Sequence, residues 1–219
     1  MMRLGKRLRA VADFVSDGAR LADIGSDHAK LPIFLVETGK VKFAIAGEVV
    51  KGPYEISLEN TQNFSEIKVR LANGLYAIEE DDNIDTIVIA GMGGILISEI
   101  LEARNQLARS MKRLIIQPNN EEAEIRSWLI KNDFKIVAEE ILEEKGKIYE
   151  IIVAETGEMQ LSELELKFGL YLTASETFEK KWKRRISEID HVLSVLPENK
   201  DEERKNLEEE KAIIREILG

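Results

Sequence analysis

The chain has 219 residues, of which 41 are acidic and 31 basic, so its formal net charge is −10. Its length suits one large or two modest domains, and 44% hydrophobic residues can bury a core, which excludes wholesale disorder. The absence of cysteine excludes a disulfide framework, a thiol nucleophile and Cys-ligated metal sites. No apolar run reaches the ~18 residues of a membrane span and no signal-peptide pattern is present, so we expect a soluble, cytoplasmic protein.

Short apolar runs alternate with helical patterns along residues 1–155. An amphipathic pattern over residues 3–15 predicts a first helix within a basic N-terminal segment, residues 1–18. Further helices are expected from about Ala29, over Tyr54 to Asn63, from about Gly94, and over Asn120 to Lys131. Continuous apolar runs predict strands at 21–24, 43–47, 67–71, 86–90 and 113–117. Such runs suit strands buried on both faces of a parallel sheet, so the expected fold class is α/β.

The end of this region breaks the alternation. Residues 134–142 and 147–155 are two strand-like runs, and the short segment between them leaves no room for a helix. They are therefore expected to pair as an antiparallel hairpin. A mostly parallel sheet that ends in such a hairpin is unlike an ordinary dinucleotide dehydrogenase. It is the pattern of Rossmann-like methyltransferases that use S-adenosylmethionine.

Residues 156–219 follow a different pattern. Apolar residues recur every three or four positions from Phe178 until Pro197 interrupts them, and a second stripe runs from Leu207 to Leu218. Two helices joined by a short turn would form an antiparallel helical hairpin, a small coiled coil. The sequence therefore predicts two domains, a Rossmann-like domain over 1–155 and a helical hairpin over 156–219.

The segment from Asp23 to Ala29 follows the first predicted strand, where open α/β sheets bind their ligands. Gly25 allows a tight turn, but Asp27 stands where a dinucleotide fingerprint has its second glycine. A carboxylate there is unfavourable for a pyrophosphate and compatible with cationic sulfonium and ammonium groups. The loop favours S-adenosylmethionine over NAD, with a plain structural turn as the alternative.

Polar or glycine-rich positions also follow the next three strands. Glu48 lies 23 residues after Gly25, close to the ~20 expected for a carboxylate that binds a ribose diol. Asn73 and Gly74 follow the third strand, where an amide can read an adenine edge. Residues 90–94 follow the fourth strand and contain three glycines, which indicates close approach of a ligand or substrate to the backbone.

Four motifs in order carry a resemblance to a known family: DIGSDHAKLP (23–32), AIAGEVVKGPY (44–54), IAGMGG (89–94) and IIQPN (115–119). Over about the first 155 residues they closely resemble the bacterial tRNA (adenine(22)-N1)-methyltransferase family, and the helical tail fits the small coiled-coil domain of that family. The resemblance implies a class I enzyme that transfers a methyl group from S-adenosylmethionine to N1 of adenine 22 in tRNA. A methyltransferase of a small molecule or protein, and a non-catalytic RNA-binding module, remain open as alternatives.

The loops and the resemblance together supply the candidate site residues. The cofactor-binding candidates are Asp23, Gly25, Asp27, Glu48, Val49, Asn73, Gly74, Ala90, Gly91 and Met92. The catalytic candidates are Asp27, His28 and Asn119. Asp27 or His28 would stabilise the charge of the methylated ring or accept a proton from its amine, and Asn119 would hydrogen-bond the adenine edge. The alternative for Asp27 and His28 is a structural role in the turn.

Two positions depart from the family pattern. Lys30 stands where an aromatic residue is more usual, and Leu170 stands where we expect proline. Lys30 puts an aromatic contact to the target base in doubt, while a lysine there can face phosphate instead.

The acidic balance argues against a protein that coats nucleic acid through bulk charge. Phosphate contacts depend on local potential, however, because the Debye length is only ~8 Å at physiological salt. Basic residues crowd two predicted helices, and the candidate tRNA-binding residues are Arg3, Lys6, Arg7, Lys30, Lys180, Lys181, Lys183, Arg184 and Arg185. A solvated helix face is the alternative for each cluster. With two histidines and no cysteine we expect no metal site, and we expect a monomer.

Overall fold

The computed structural model describes residues 1–197 and 199–219. It contains a seven-stranded sheet with the strand order β3-β2-β1-β4-β5-β7-β6. The strands are β1 (Ala19–Ile24), β2 (Val41–Glu48), β3 (Ile67–Leu71), β4 (Thr86–Met92), β5 (Arg113–Pro118), β6 (Phe134–Glu144) and β7 (Lys147–Thr156). Strands β1 to β5 run parallel, and β7 runs antiparallel to both β5 and β6. This arrangement confirms the predicted parallel sheet with an antiparallel hairpin at its end.

Helices cover the sheet and form the C-terminal region. They are α1 (Lys6–Asp13), α2 (Lys30–Glu37), α3 (Lys51–Thr61), α4 (Gly94–Ala103), α5 (Asn105–Arg109), α6 (Glu122–Lys131), α7 (Glu163–Phe168), α8 (Glu176–Val195) and α9 (Asp201–Leu218). Short 3₁₀ turns lie at Gly74–Ala77 and Glu80–Asp82. Among the described residues, none of the helices combines the length and the apolar character that a membrane span requires.

Successive residues of the central strands pack into two apolar layers, one on each face of the sheet. Val88 packs with Val11 of α1 and Leu35 of α2 on one face, whereas Ile87 packs with Ile97 of α4 on the other. Successive strand residues point to opposite faces of a sheet, so both faces need apolar side chains. This double cover explains why the strands read as continuous apolar runs, and it confirms the α/β class.

Several helices differ from the sequence-based expectation. Helix α1 spans Lys6–Asp13 and is shorter than the predicted helix over 3–15, and helix α5 is not predicted. Helix α3 begins at Lys51 rather than Tyr54, because Pro53 falls in the first turn, where a missing N–H breaks no intrahelical hydrogen bond. Helix α7 is absent from the prediction. It begins with a capping box in which the N–H of Glu165 donates to Ser162 Oγ at 3.2 Å and the N–H of Ser162 donates back to the Glu165 carboxylate at 2.8 Å.

Helices α8 and α9 pack against each other and onto the β6–β7 hairpin. Phe178 and Ile214 are fully buried in their seam, and Ile141 of β6 joins the same apolar cluster. Trp182 packs against Phe168 of α7, with ring centroids 4.5 Å apart. The predicted stripes are therefore the seam of a helical hairpin. Because this seam includes a residue of the sheet, the domain boundary at residue 155 stays a prediction.

Five charged side chains form a buried charge network between the sheet and α8. Arg126 of α6 donates to Glu139 of β6 at 2.7 Å and to Glu150 of β7 at 2.6 Å, and all three are almost fully buried. Lys181 of α8 donates to Glu150 at 2.8 Å and to Glu122 of α6 at 2.7 Å. Buried charges are costly unless they are paired and hydrogen-bonded. The network therefore fixes how α8 lies against the sheet.

Leu170, one of the two departures from the family pattern, contributes to this network. Its backbone N–H donates to the Glu139 carboxylate at 2.6 Å. A proline at this position has no N–H and makes no such bond. The departure thus adds a hydrogen bond to a buried carboxylate at the join between the two regions.

Candidate functional site

The loop after β1 holds three consecutive non-glycine residues in the left-handed backbone region. Asp27, His28 and Ala29 have φ angles of 48°, 73° and 57°. This conformation is costly for residues other than glycine, and such strain clusters at functional sites. Asn60 of α3 braces the loop by donating to the His28 carbonyl at 3.0 Å. The geometry favours a binding loop over a plain turn.

Two carboxylates lie buried along the edge of the sheet that is formed by the carboxyl ends of its parallel strands. They are Asp23 of β1 and Glu48 of β2, and neither has an ion-pair partner among the described residues. Asp23 accepts a hydrogen bond from Ser26 Oγ, and burial raises its pKa from an ordinary value near 3.8 to about 7. Glu48 accepts from Ser57 Oγ at 3.4 Å, and burial raises its pKa too, opposed by the backbone N–H of His28. A cationic ligand beside these groups would favour their charged forms.

The ends of β2 and β3 add apolar and amide groups to this edge. Val49 follows Glu48 and is 65% exposed, and Leu71, which pairs beside Glu48 in the sheet, is 50% exposed. Asn73 is exposed at the start of the turn that includes Gly74, and its side chain makes no capping hydrogen bond. Exposed apolar groups beside an uncommitted amide suit a flat ring with polar edges.

The loop after β4 closes against the loop after β1. The φ of 71° favours glycine at position 25, and a Cβ atom there would lie 2.1 Å from Met92 Cε, so the end of the Met92 side chain packs directly against this turn. On its other side, Asn119 donates from Nδ2 to the Gly91 carbonyl at 2.8 Å and from its backbone N–H to the Met92 carbonyl at 2.7 Å. Ala90, Gly91 and Met92 are thus held between the loops after β1 and β5.

The three catalytic candidates lie on two sides of β4. The Asp27 carboxylate lies 3.4 Å from His28 Nε2 and 3.3 Å from Lys30 Nζ, whereas Asn119 follows β5. The buried Nδ1 of His28 has no hydrogen-bond partner among the described residues. Because β4 lies between β1 and β5, a ligand at its carboxyl end would lie between Asp27 and Asn119.

A cleft opens at Asn119 and leads toward α8. This α8 cleft consists of two adjoining hollows of about 540 and 470 Å³, which share Asn119, Ile148 and Arg184. Arg7 and Tyr149 line the first hollow, and Trp182 lines the second. Each hollow has the volume of a small-ligand pocket. The candidate catalytic amide therefore lies at the mouth of a cleft formed with the helical hairpin.

The basic residues of α8 all have carboxylate partners within 4 Å. Lys180 and Arg184 contact Glu143, Lys181 contacts Glu122 and Glu150, Lys183 contacts Glu179, and Arg185 contacts Glu188 and Glu210. A tRNA phosphate would have to compete with these carboxylates, most of all at Lys181 in the buried charge network. Their role in tRNA binding stays a prediction, and they are not the free cations that the sequence pattern suggests.

The N-terminal basic residues divide between the surface and the cleft. Arg3 is exposed, and Lys6 donates from Nζ to the Glu143 carbonyl at 3.2 Å. The Arg7 guanidinium instead donates to Gln117 and lies 5.5 Å from the centre of the Tyr149 ring. Arg7 therefore belongs to the wall of the cleft.

Sequence reasoning missed several groups at the site. Tyr149 lies within β7, where the apolar pattern indicates only a strand, so no local signal marks it as a cleft residue. The contact between Arg7 and Gln117 joins residues that are 110 positions apart. Leu71 ends β3, and this position is a local signal that could have identified it as a site residue. Among the described residues, no group of three His, Cys, Asp or Glu side chains is arranged to hold a metal ion.

Comparisons with known proteins agree with this geometry. A family profile described as tRNA (adenine(22)-N(1))-methyltransferase matches residues 21–217. A tRNA (adenine(22)-N(1))-methyltransferase from Bacillus subtilis (strain 168) is 36% identical, and the match covers 99% of this chain and 98% of that protein.

Two solved structures share the fold over nearly the whole chain. A putative tRNA (m1A22) methyltransferase from Streptococcus pneumoniae, in complex with S-adenosyl-L-methionine, is 48% identical with a TM-score of 0.93 and covers 99% of this chain and 100% of its own. An M. capricolum protein in complex with the cofactor product S-adenosyl-homocysteine is 29% identical with a TM-score of 0.90, and the coverage is 100% and 98%. The shared fold includes the helical hairpin.

Proposed function

The chain belongs to the tRNA (adenine(22)-N(1))-methyltransferase family, and we propose that its strand-end loops hold the cofactor while the α8 cleft receives the target base. It is an S-adenosylmethionine-dependent tRNA (adenine-N1)-methyltransferase. One observation carries the proposed division of the site. Two buried carboxylates, Asp23 and Glu48, have no ion-pair partner within 4 Å among the described residues, and they lie at the sheet edge from which the cleft opens at Asn119.

The residues of this edge fit S-adenosylmethionine. When bound, the cofactor supplies an electrophilic methyl group on a sulfonium cation. Asp23 and Asp27 place carboxylates where cationic groups of the ligand offset the cost of burying or crowding negative charge. Glu48 receives a few local hydrogen bonds, and a carboxylate can accept about four, which leaves capacity for a ribose hydroxyl. The remaining contacts are assigned to Gly25, Val49, Asn73, Gly74, Ala90, Gly91 and Met92.

On the base side, positioning contributes more than acid–base chemistry. Adenine N1 carries a free lone pair, so no base has to remove a proton before it attacks, and the methylated ring gains one positive charge. The Asp27 carboxylate, 71% exposed at the loop, stabilises that charge, and His28 supports the loop beside it. Asn119 hydrogen-bonds the adenine edge and orients N1, since correct placement of reacting atoms lowers the barrier by several kcal/mol.

The target base must leave any pairing partner before it reacts. N1 lies on the Watson–Crick edge, so an engaged adenine has to be flipped into the cleft at a cost of a few kcal/mol. Arg3, Lys6 and Lys30 near the loops, and the cations of α8 across the cleft, then contact the flanking phosphates. Because the α8 cations are paired with glutamates, phosphates exchange with carboxylates, and the enzyme can release its product.

We place the reaction in the cytoplasm, with the enzyme acting as a monomer. The cofactor edge and both hollows of the α8 cleft are formed by one chain. A second copy is therefore not needed to complete the site.

The test is to incubate the protein with methyl-labelled S-adenosylmethionine and an unmodified tRNA transcript, and then to map the labelled nucleotide. We expect one methyl group per tRNA, at N1 of adenine 22. A transcript with the A22→G substitution is the matched control and should remain unlabelled. Label at another nucleotide, or equal labelling of the control transcript, would overturn the proposal.

A further inference from the structure

The wall of the α8 cleft contains a chain of side-chain amides that begins at a cation. The Arg7 guanidinium donates to Gln117 Oε1. The Nε2 of the fully buried Gln117 donates to the Pro118 carbonyl at 2.6 Å and lies 3.3 Å from Asn119 Oδ1. The Nδ2 of Asn119 then donates to the Gly91 carbonyl at 2.8 Å. The chain thus runs from α1 to the backbone at the end of β4.

The groups at both ends of this chain determine where each side-chain amide points its oxygen and its nitrogen. A guanidinium has only donors, so it accepts nothing from Gln117 and must face its oxygen. The Gly91 carbonyl has only acceptor sites, so it must face the nitrogen of Asn119. Every link between them is then a donor facing an acceptor. Without Arg7, Gln117 Oε1 loses its donor, and the amide is held only through its Nε2, which donates to the Pro118 carbonyl.

The surroundings of Arg7 fit a positioning role better than a contact with phosphate. Arg9, on the same helix, has partners outside the cleft. It pairs with Asp13 at 3.2 Å and lies over the Phe34 ring. Arg7 is half-buried, stacks on the Tyr149 ring and has no carboxylate partner among the described residues. Its hydrogen-bond and ring partners are neutral groups within the cleft, and its charge acts at longer range on the Asp23 carboxylate, where it opposes the rise in pKa caused by burial.

We propose that Arg7 is a positioning residue that acts through Gln117 to fix the side-chain amide of Asn119 at the base pocket. The proposal rests on the function proposed above. The fixed orientation points Asn119 Oδ1 toward Gln117 and leaves that oxygen a free lone pair, which can accept a hydrogen bond from the exocyclic amine of adenine. A guanine carries an acceptor at the same place, so the orientation also favours adenine.

The experiment measures kcat and KM for tRNA with Arg7→Met, Arg7→Lys, Gln117→Leu and the double variant Arg7→Met/Gln117→Leu. We expect kcat at saturating tRNA to fall about tenfold to a hundredfold in Arg7→Met, with little change in KM. Arg7→Lys should restore kcat only in part, because an ammonium also has only donors but lacks the geometry of the guanidinium fork. The double variant should be no slower than the slower single variant, because both break the same chain.

Arg9→Met is the matched control on the same helix and should keep the wild-type kcat and KM. The melting temperature of each variant is measured in parallel, and Arg7→Lys preserves a test if Gln117→Leu does not fold. A rise in KM with unchanged kcat, rescued by Arg7→Lys, would show a phosphate contact and overturn the inference. That result leaves the proposed function intact, whereas a wild-type protein that does not methylate tRNA overturns the function itself.

Discussion

The cofactor edge and the interface between α8 and the sheet both bury carboxylates, but they treat the charge differently. At the interface, Glu139 and Glu150 receive charged hydrogen bonds from Arg126, and Glu150 receives another from Lys181. At the edge, the hydrogen bonds that Asp23 and Glu48 receive from the described residues come from neutral groups, and burial raises the pKa of both, opposed at Asp23 by the more distant charge of Arg7. A matched buried charge serves the structure, while an unmatched one is suited to a cationic ligand.

The largest expected effect comes from breaking the paired charges at the interface between α8 and the sheet. Arg126→Met would leave Glu139 without its side-chain partner and Glu150 with Lys181 alone. Removing one member of a buried ion pair costs about 3–5 kcal/mol, because the remaining charge is buried without compensation. We expect the free energy of unfolding, measured by urea denaturation, to fall by that amount. A loss below about 1 kcal/mol would show that the network is not structural.

The second-largest expected effect concerns the buried carboxylates of the cofactor edge. It is a dependence of cofactor affinity on pH. Because Asp23 has a pKa of about 7 when folded and near 3.8 otherwise, the ligand-free protein keeps this proton up to about pH 7. The contribution of this group to the free energy of unfolding therefore falls as the pH rises from about 4 to 7. A cationic cofactor prefers the ionised form, so its affinity should rise about tenfold between pH 6 and pH 8.

Calorimetric titration with S-adenosylmethionine at several pH values checks this expectation. Binding at pH 6 should release a proton to the buffer, and binding at pH 8 should release almost none. Asp23→Asn should abolish the dependence. An affinity that does not change over this range would place the ligand's cationic groups away from Asp23.

The smallest effect belongs to exposed pairs on the outer face of α8. Lys183 and Glu179 form an i,i+4 pair in which both side chains are at least half exposed. Pairs of this kind contribute about 0.3–0.5 kcal/mol, so Lys183→Met should change the free energy of unfolding by no more than that. If Lys183 contacts tRNA phosphate, the same variant should weaken tRNA binding and lower its salt dependence by about one charge. Unchanged tRNA binding would remove Lys183 from the interface.

The sheet and the cofactor edge could be predicted because their signals are local. Apolar runs mark strands that are covered on both faces, and Glu48 lies at a strand end at the right distance from Gly25. Helix α7 also had a local signal, since Ser162 and Glu165 form a capping box. The left-handed backbone at Ala29 had none, because alanine does not ordinarily adopt it.

The pairing of charges could not be predicted, because it depends on contacts distant in sequence. The sequence pattern puts Arg126 on the polar side of a helix, yet it is fully buried and pairs with carboxylates of the two strands that follow it. The basic run on α8 reads as a surface for RNA, yet Arg184 reaches Glu143 and Arg185 reaches Glu210. Net charge and local runs report which charges are present, and only the tertiary structure shows which of them are matched.

The central claim is that the unmatched carboxylates mark the cofactor site, and titration of three proteins with S-adenosylmethionine tests it most directly. The proteins are wild type, Glu48→Gln and Glu210→Gln, which removes a carboxylate matched by Arg185. A hydrogen bond to a charged group contributes about 1.5–3 kcal/mol, so Glu48→Gln should bind roughly tenfold to a hundredfold more weakly, and Glu210→Gln should bind like wild type. Wild-type affinity in Glu48→Gln, with an unchanged melting temperature, would contradict the account.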